Sequence, residues 1–353
     1  MRRDYSVARL LHEGLTMAPE TIAVFSAGSW GITLACLLRN KGFAVRVWEY
    51  APGVVESLLR TRVPATLPYL AVPPDIAITS DLEQTARGVR HWVIAVPSHG
   101  VRALAAQLAR IHAARAPETI TVCTKGIEPD TGLTMSQVVE SELDGLSEGG
   151  VTALSGPSHA EEVCRDVPTT IVAASGHDGR TERVQALFNT PRFRVYTSRD
   201  RLGVELGGAL KNVIAIASGV CDGMGFGDNT RAALITRGLA EITRLGARMG
   251  ARAETFAGLT GMGDLIVTAT SRHSRNRKFG ELLGQGVAAG EARQRIGMEV
   301  EGIYAARSAS QLAERHGVEM PISREVHAIL YESKAPAHAV RDLLSRDLKP
   351  ELY

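Results

Sequence analysis

The stretch Thr21-Ile22-Ala23-Val24-Phe25-Ser26-Ala27-Gly28-Ser29-Trp30-Gly31-Ile32 decides how the rest of the chain is read. An apolar run rich in β-branched residues enters a turn of small residues, and a helix is expected from Ile32 to Lys41. A buried strand that turns through glycine into a helix is the opening of a βαβ unit. Working outward, similar short runs recur at 44–48, 76–79, 92–96, 119–124, 151–155, 169–174 and 193–197. Helical stretches are expected between them at Val101–Ala114 and Glu128–Ser141. Strands alternating with helices predict a largely parallel sheet covered on both faces. After Arg199 the texture changes to long Ala, Leu, Ile, Glu and Arg segments, so that half should be helical.

The expected architecture is therefore α/β: a Rossmann-like doubly wound sheet domain over residues 20–198, then an all-helical domain over 199–353. Residues 1–19 read as an extension with no catalytic part. Within the opening turn, Gly28 would let backbone approach a pyrophosphate, Gly31 would let helix pack on strand, and Ser29 and Trp30 flank the loop. Ser26 stands where the dinucleotide fingerprint has its first glycine. The next strand, Ala44–Trp48, ends in Glu49, 21 residues after Gly28, where an acid can accept from an adenosine ribose and repel a 2′-phosphate. That predicts NAD(H) in preference to NADP(H); a solvated strand-end charge is the alternative. Two further glycine-rich passages, 219–227 and 257–264, follow no strand and read as loops near a cleft.

Composition excludes several classes. The 40 basic and 38 acidic residues leave a net charge of +2, so no global field draws the chain to nucleic acid or a membrane. No uninterrupted apolar run approaches the roughly 20 residues of a spanning helix. Cys36, Cys123, Cys164 and Cys221 form no C-x-x-C pair and read as reduced and buried, fitting a cytoplasmic protein. His and Cys spacing suggests no metal site.

Two adjacent glycines in Glu205-Leu206-Gly207-Gly208-Ala209-Leu210-Lys211-Asn212 weaken a helix and suggest close packing near a ligand. Lys211 and Asn212 then sit on the apolar helix Leu210–Ala217, where periodicity alone allows a snorkelling surface lysine. Ser274-Arg275-Asn276 precedes a helix expected at Arg277–Leu283. A hydroxyl, a guanidinium and free helix N–H groups would converge there as a phosphate site, or the segment is a solvated basic run.

From Thr21 to the C-terminal tail, the ordered set of motifs resembles the NAD(P)-dependent glycerol-3-phosphate dehydrogenase family. The stretches that carry the resemblance are 26–31, 96–98, 124–128, 154–158 with 160–163, 205–212, 232–238, 261–265, 274–277 and 300–302. The resemblance implies interconversion of glycerol 3-phosphate and dihydroxyacetone phosphate with NAD(H), or NADP(H), by a cytoplasmic homodimer supplying phospholipid synthesis.

By the same resemblance, Lys211 is the catalytic lysine, Lys125 a second substrate cation near the nicotinamide, and Asp264, in a glycine-rich loop, the acid that orients Lys211. Gly156, Ser158, Asn212, Ser274, Arg275 and Asn276 join them around the phosphorylated triose, and Ala160, Arg275, Glu299, Glu301 and Lys125 face the cofactor. Two departures stand out: Ser26 replaces the usual glycine, and His159 stands where the family more often has Phe. With Lys211 filling the acid/base role, His159 reads as structural. A dehydrogenase of 2-hydroxy acids with the same plan, and a non-catalytic NADH-binding scaffold, are the alternatives.

Overall fold

The computed structural model describes residues 20–143, 145–146, 150–348 and 350–351; the extension expected at 1–19 lies outside them. All eight expected strands form, as β1 (Thr21–Phe25), β2 (Ala44–Trp48), β3 (Ala77–Thr79), β4 (His91–Ile94), β5 (Thr119–Val122), β6 (Val151–Ser155), β7 (Thr169–Ala174) and β8 (Phe193–Ser198). They make one sheet in the order β3-β2-β1-β4-β5-β6-β7-β8. The first six are parallel; β7 runs antiparallel to β6, and β8 parallel to β7.

β1 is central, and its side chains alternate between two cores. Ile22 and Val24 pack with Leu34 and Leu38, whereas Ala23 and Phe25 pack with Trp92 and Leu104 on the other face. Burial on both sides is why β1 is a continuous apolar run. The strand order reverses between β1 and β4, so the loops leaving those strands splay apart and open a crevice at the strands' carboxyl ends.

The helical half is organised around one helix, Arg201–Gly223, buried without interruption from Gly203 to Cys221. It is long and apolar enough to cross a membrane by length and composition, but here it is wholly enclosed by protein. The Arg275–Gly284 helix crosses it so closely that a Cβ on Gly219 would collide with the Arg277 carbonyl, and one on Gly280 with the Ile216 carbonyl. This corrects the reading of 219–227 as a loop: Gly219–Gly223 are helical and serve as the contact surface for the crossing helix.

Other element bounds are also corrected. Val101–Ala114 is a helix as expected, but the helix placed at Glu128–Ser141 runs only from Met135 to Glu142. Before it, Asp130 and Gly132 hold φ of +71° and +74°, and Thr134 with Gln137 forms a capping box that starts the helix late. The first helix begins at Ser29 instead of Ile32. Residues Leu259–Gly263 are a single π-helical turn and not a loop, so Asp264 opens the helix Asp264–Thr270. The four cysteines are free, with Cys164 half-buried while the other three are buried.

The halves are joined by two carboxylates, Glu205 buried and Glu301 partly so, that accept from helix-start N–H groups of the sheet half. Glu205 accepts from Ser136 N–H at 2.8 Å and from the Thr134 hydroxyl at 2.8 Å. Glu301 accepts from Ser98 N–H at 2.9 Å and from the Ser98 hydroxyl.

Candidate active site

A cleft of about 270 Å³ lies where the carboxyl ends of the strands meet the helical half. Gly28, Ser29, Trp30, Lys125, Ser158 and Ala160 line it from the sheet side. Lys211, Asn212, Ser274, Arg275, Asn276, Glu299 and Glu301 line it from the helical side. Gly31, Glu49, Gly156 and Asp264 do not reach its surface; Gly31, Gly156 and Asp264 touch groups that do, and Glu49 holds the backbone at Ala27 and Ala51.

Asp264 is the hub. It is 1% exposed and accepts from two ammonium groups, Lys125 at 2.7 Å through Oδ2 and Lys211 through Oδ1. Lys125 also donates to the Gly156 carbonyl at 2.9 Å, the same oxygen that receives the Ser158 hydroxyl at 2.9 Å. Lys211 donates further to the Thr268 hydroxyl at 2.6 Å.

Burial would raise the Asp264 pKa, but the two lysines outweigh it and hold the carboxyl below its ordinary value. Lys211 is 5% exposed, which rules out a snorkelling surface group. Its pKa is pushed down to about 7, by burial first and by the Lys125 charge, with Asp264 opposing. With both lysines protonated, two positive charges share the one Asp264 carboxylate at this end of the cleft, while Glu161, Glu299 and Glu301 line it elsewhere.

The glycine pair before Lys211 allows this assembly. A Cβ on Gly208 would come within 2.6 Å of Ser155 Oγ, and one on Gly207 within 2.7 Å of the Thr260 carbonyl in the π-helical turn. Side chains there would push the helix away from the end of β6 and from the π-helical turn that leads into Asp264. Thr268 went unnoticed in the sequence. It lies one turn after Asp264 on the same helix, so an aspartate followed four residues later by threonine, after a glycine-rich turn, is the signal that points to it.

On the opposite wall, Ser274 caps the Arg275–Gly284 helix by accepting from Arg277 N–H at 3.2 Å. Arg277 is tied to Asp222, whereas Arg275 is exposed in the cleft with no ion pair or hydrogen bond among the described residues. Asn276 donates to Asn212 Oδ1 at 3.0 Å and accepts from Gly302 N–H at 2.9 Å, so these two amides brace three helices as well as facing the cleft.

At the far end, the helix Ser29–Asn40 starts with Gly28 at its N-cap and no side-chain cap, leaving donors for an anion. Glu49 is 7% exposed and so is no solvated charge; it accepts from Ala27 N–H at 3.0 Å and from Ala51 N–H at 3.2 Å. It braces the glycine loop and keeps lone pairs for a ligand. Glu301, beside Ser98, has its carboxyl pKa raised by burial. Glu299 lies 3.5 Å from Arg293. His159 packs on His273 with ring centroids 6.0 Å apart, and burial first, then Lys211, lowers its pKa.

Glu20, His91 and Glu118 come together at the opposite, amino end of the sheet, but Arg90 and Arg183 already pair with the acids there.

Known proteins match most of the chain. Residues 21–180 match the N-terminal model of NAD-dependent glycerol-3-phosphate dehydrogenase, and residues 200–341 match its C-terminal model. The chain is 50% identical over 335 residues to the glycerol-3-phosphate dehydrogenase (NAD(P)+) of Geobacter sulfurreducens, covering 95% of this chain and 99% of that one. It is 48% identical to that of Agathobacter rectalis, covering 94% and 97%. The crystal structure of a glycerol-3-phosphate dehydrogenase from Coxiella burnetii superposes with a TM-score of 0.88 at 39% identity, over 93% of this chain and 99% of that one. The chain belongs to the NAD-dependent glycerol-3-phosphate dehydrogenase family.

Proposed function

We propose that this protein interconverts sn-glycerol 3-phosphate and dihydroxyacetone phosphate with NAD(P)(H). The observation that carries the reading is the Lys125–Asp264–Lys211 bridge, with Lys211 near neutrality, facing an unpaired Arg275 across one cleft.

The sheet half fits a dinucleotide. Gly31 leaves no room for a Cβ against the Ser26 carbonyl, and the uncapped helix start at Gly28 offers N–H groups for a pyrophosphate. When bound, the nicotinamide supplies or accepts the hydride. Lys211 gives its proton to the substrate oxygen as the ketone is reduced and takes it back in the reverse direction; a pKa of about 7 suits both tasks. Lys125, held by Gly156 and Asp264, lies beside the same oxygen and stabilises charge developing there. Asp264 fixes both ammonium groups. Arg275 and the N–H groups after Ser274 take the phosphate, so binding energy remote from the reacting carbon positions the substrate.

Glu49 supports a preference for NAD(H), because a 2′-phosphate placed at the ribose would meet a buried carboxylate. A cytoplasmic homodimer that supplies glycerol 3-phosphate for phospholipid synthesis completes the proposal. The test is NADH oxidation with dihydroxyacetone phosphate, run beside NADPH and beside ketopantoate. Turnover confined to dihydroxyacetone phosphate, with a higher kcat/KM for NADH, is expected. Turnover of ketopantoate instead would overturn the substrate, and an NADPH preference would overturn the role of Glu49.

A further inference from the structure

Ser26 leaves β1 with φ of +135°, a backbone conformation that a side chain resists. It is held there from both sides: its N–H donates to the Trp48 carbonyl at 3.0 Å, and Gly31 packs on its own carbonyl. Its hydroxyl oxygen accepts from Gly28 N–H at 3.0 Å. A hydroxyl that accepts in this way still has one hydrogen to donate, and no acceptor among the described residues takes it. The residue is 7% exposed and lines the cleft beside Gly28 and Ser29. A strained residue with an unused donor at the mouth of a phosphate loop is the kind of outlier that points to a ligand.

We propose that Ser26 is a cofactor-binding residue of this chain, its hydroxyl donating to a pyrophosphate oxygen of the bound dinucleotide. The serine oxygen takes the Gly28 N–H, which fixes the turn, and its own hydrogen is left as a donor beside the loop. The proposal rests on the NAD(P)(H) reading above, and it assigns a gain in affinity to a position where the fingerprint calls for glycine.

The test titrates NADH and ADP-ribose, which keeps the pyrophosphate and lacks nicotinamide, into the wild type, Ser26→Ala and Ser26→Gly. Both variants are expected to bind both ligands about tenfold more weakly, the order of one hydrogen bond to a charged group. The kcat at saturating NADH and the KM for dihydroxyacetone phosphate should stay within twofold. A serine that merely fills the turn makes the opposite prediction for Ser26→Gly, which relieves the φ and leaves the loop intact. Either variant binding NADH within twofold of wild type overturns the proposal. So does a loss confined to NADH with ADP-ribose unaffected, which would move the contact to the nicotinamide end. A wild type that binds neither ligand overturns this inference together with the cofactor reading beneath it.

Discussion

The two walls of the cleft meet ligands by different means. The sheet wall works mainly with backbone: a glycine turn at the end of β1, an uncapped helix start at Gly28, and a Gly156 carbonyl that anchors Lys125. The helical wall works with side chains, Lys211, Asp264, Thr268, Asn212 and Arg275, on helices held together by glycine contacts. Backbone donors come preformed with the fold, so that wall needs few special residues. Side-chain groups must be held by their neighbours, so that wall needs tight packing behind each one.

On that contrast, the largest effect follows from removing the side chain that exchanges the proton. Lys211→Ala should lower kcat by roughly a thousandfold to ten-thousandfold, with an unchanged circular dichroism spectrum and Tm near wild type. A milder loss would shift the chemistry to Lys125. Next comes the packing behind the side chains. Gly219→Val places a branched side chain against the Arg277 carbonyl and should cost about 3 kcal/mol, read as a clear fall in Tm. If Tm is unchanged, the helix crossing does not constrain the site.

Arg275→Ala should raise the KM for dihydroxyacetone phosphate by about 10–100-fold, the value of charged hydrogen bonds to a phosphate, with a smaller effect on kcat. Unchanged kinetics would remove the phosphate assignment.

Proton transfer gives a graded test. In glycerol 3-phosphate oxidation Lys211 must be neutral to accept the proton, so kcat/KM should rise with pH through about 7 and then level off. In reduction it must be protonated, so kcat/KM should be level below about 7 and fall above it. Matching profiles in the two directions would exclude Lys211 as the titrating group. The smallest effect is expected at His159, whose imidazole packs on His273. His159→Phe should leave kcat within a few-fold, and a hundredfold loss would make it part of the chemistry.

The same contrast explains what the sequence made legible. The interior strands were readable because burial on both faces favours unbroken apolar runs, the edge strands β3 and β8 from short β-branched runs, and the cofactor loop because its glycines answer to local backbone geometry. The reversed direction of β7 was not readable, since alternation does not encode strand sense. In the helical wall, Gly219 and Gly223 looked like loop residues because glycine weakens an isolated helix; the compensation comes from a helix more than 50 residues later. Lys211 was ambiguous for the same reason, as nothing near it in sequence reveals that Asp264 and Thr268 close around it. The late start at Met135 was legible in Pro129-Asp130-Thr131-Gly132, which carries turn chemistry and holds positive φ at Asp130 and Gly132 before the capping box.

The enclosed Arg201–Gly223 helix also bears on how the protein is made. Its wrapping comes from the helices Asp264–Thr270, Arg275–Gly284 and Glu301–His316, all of which leave the ribosome after it. Until they arrive, a nascent chain carries a segment as apolar as a membrane span, with only the sheet half to cover part of it. Chains ending before Arg275 should therefore be prone to aggregate, and a cut placed before Arg201 should give a more soluble sheet fragment than one placed just beyond Gly223.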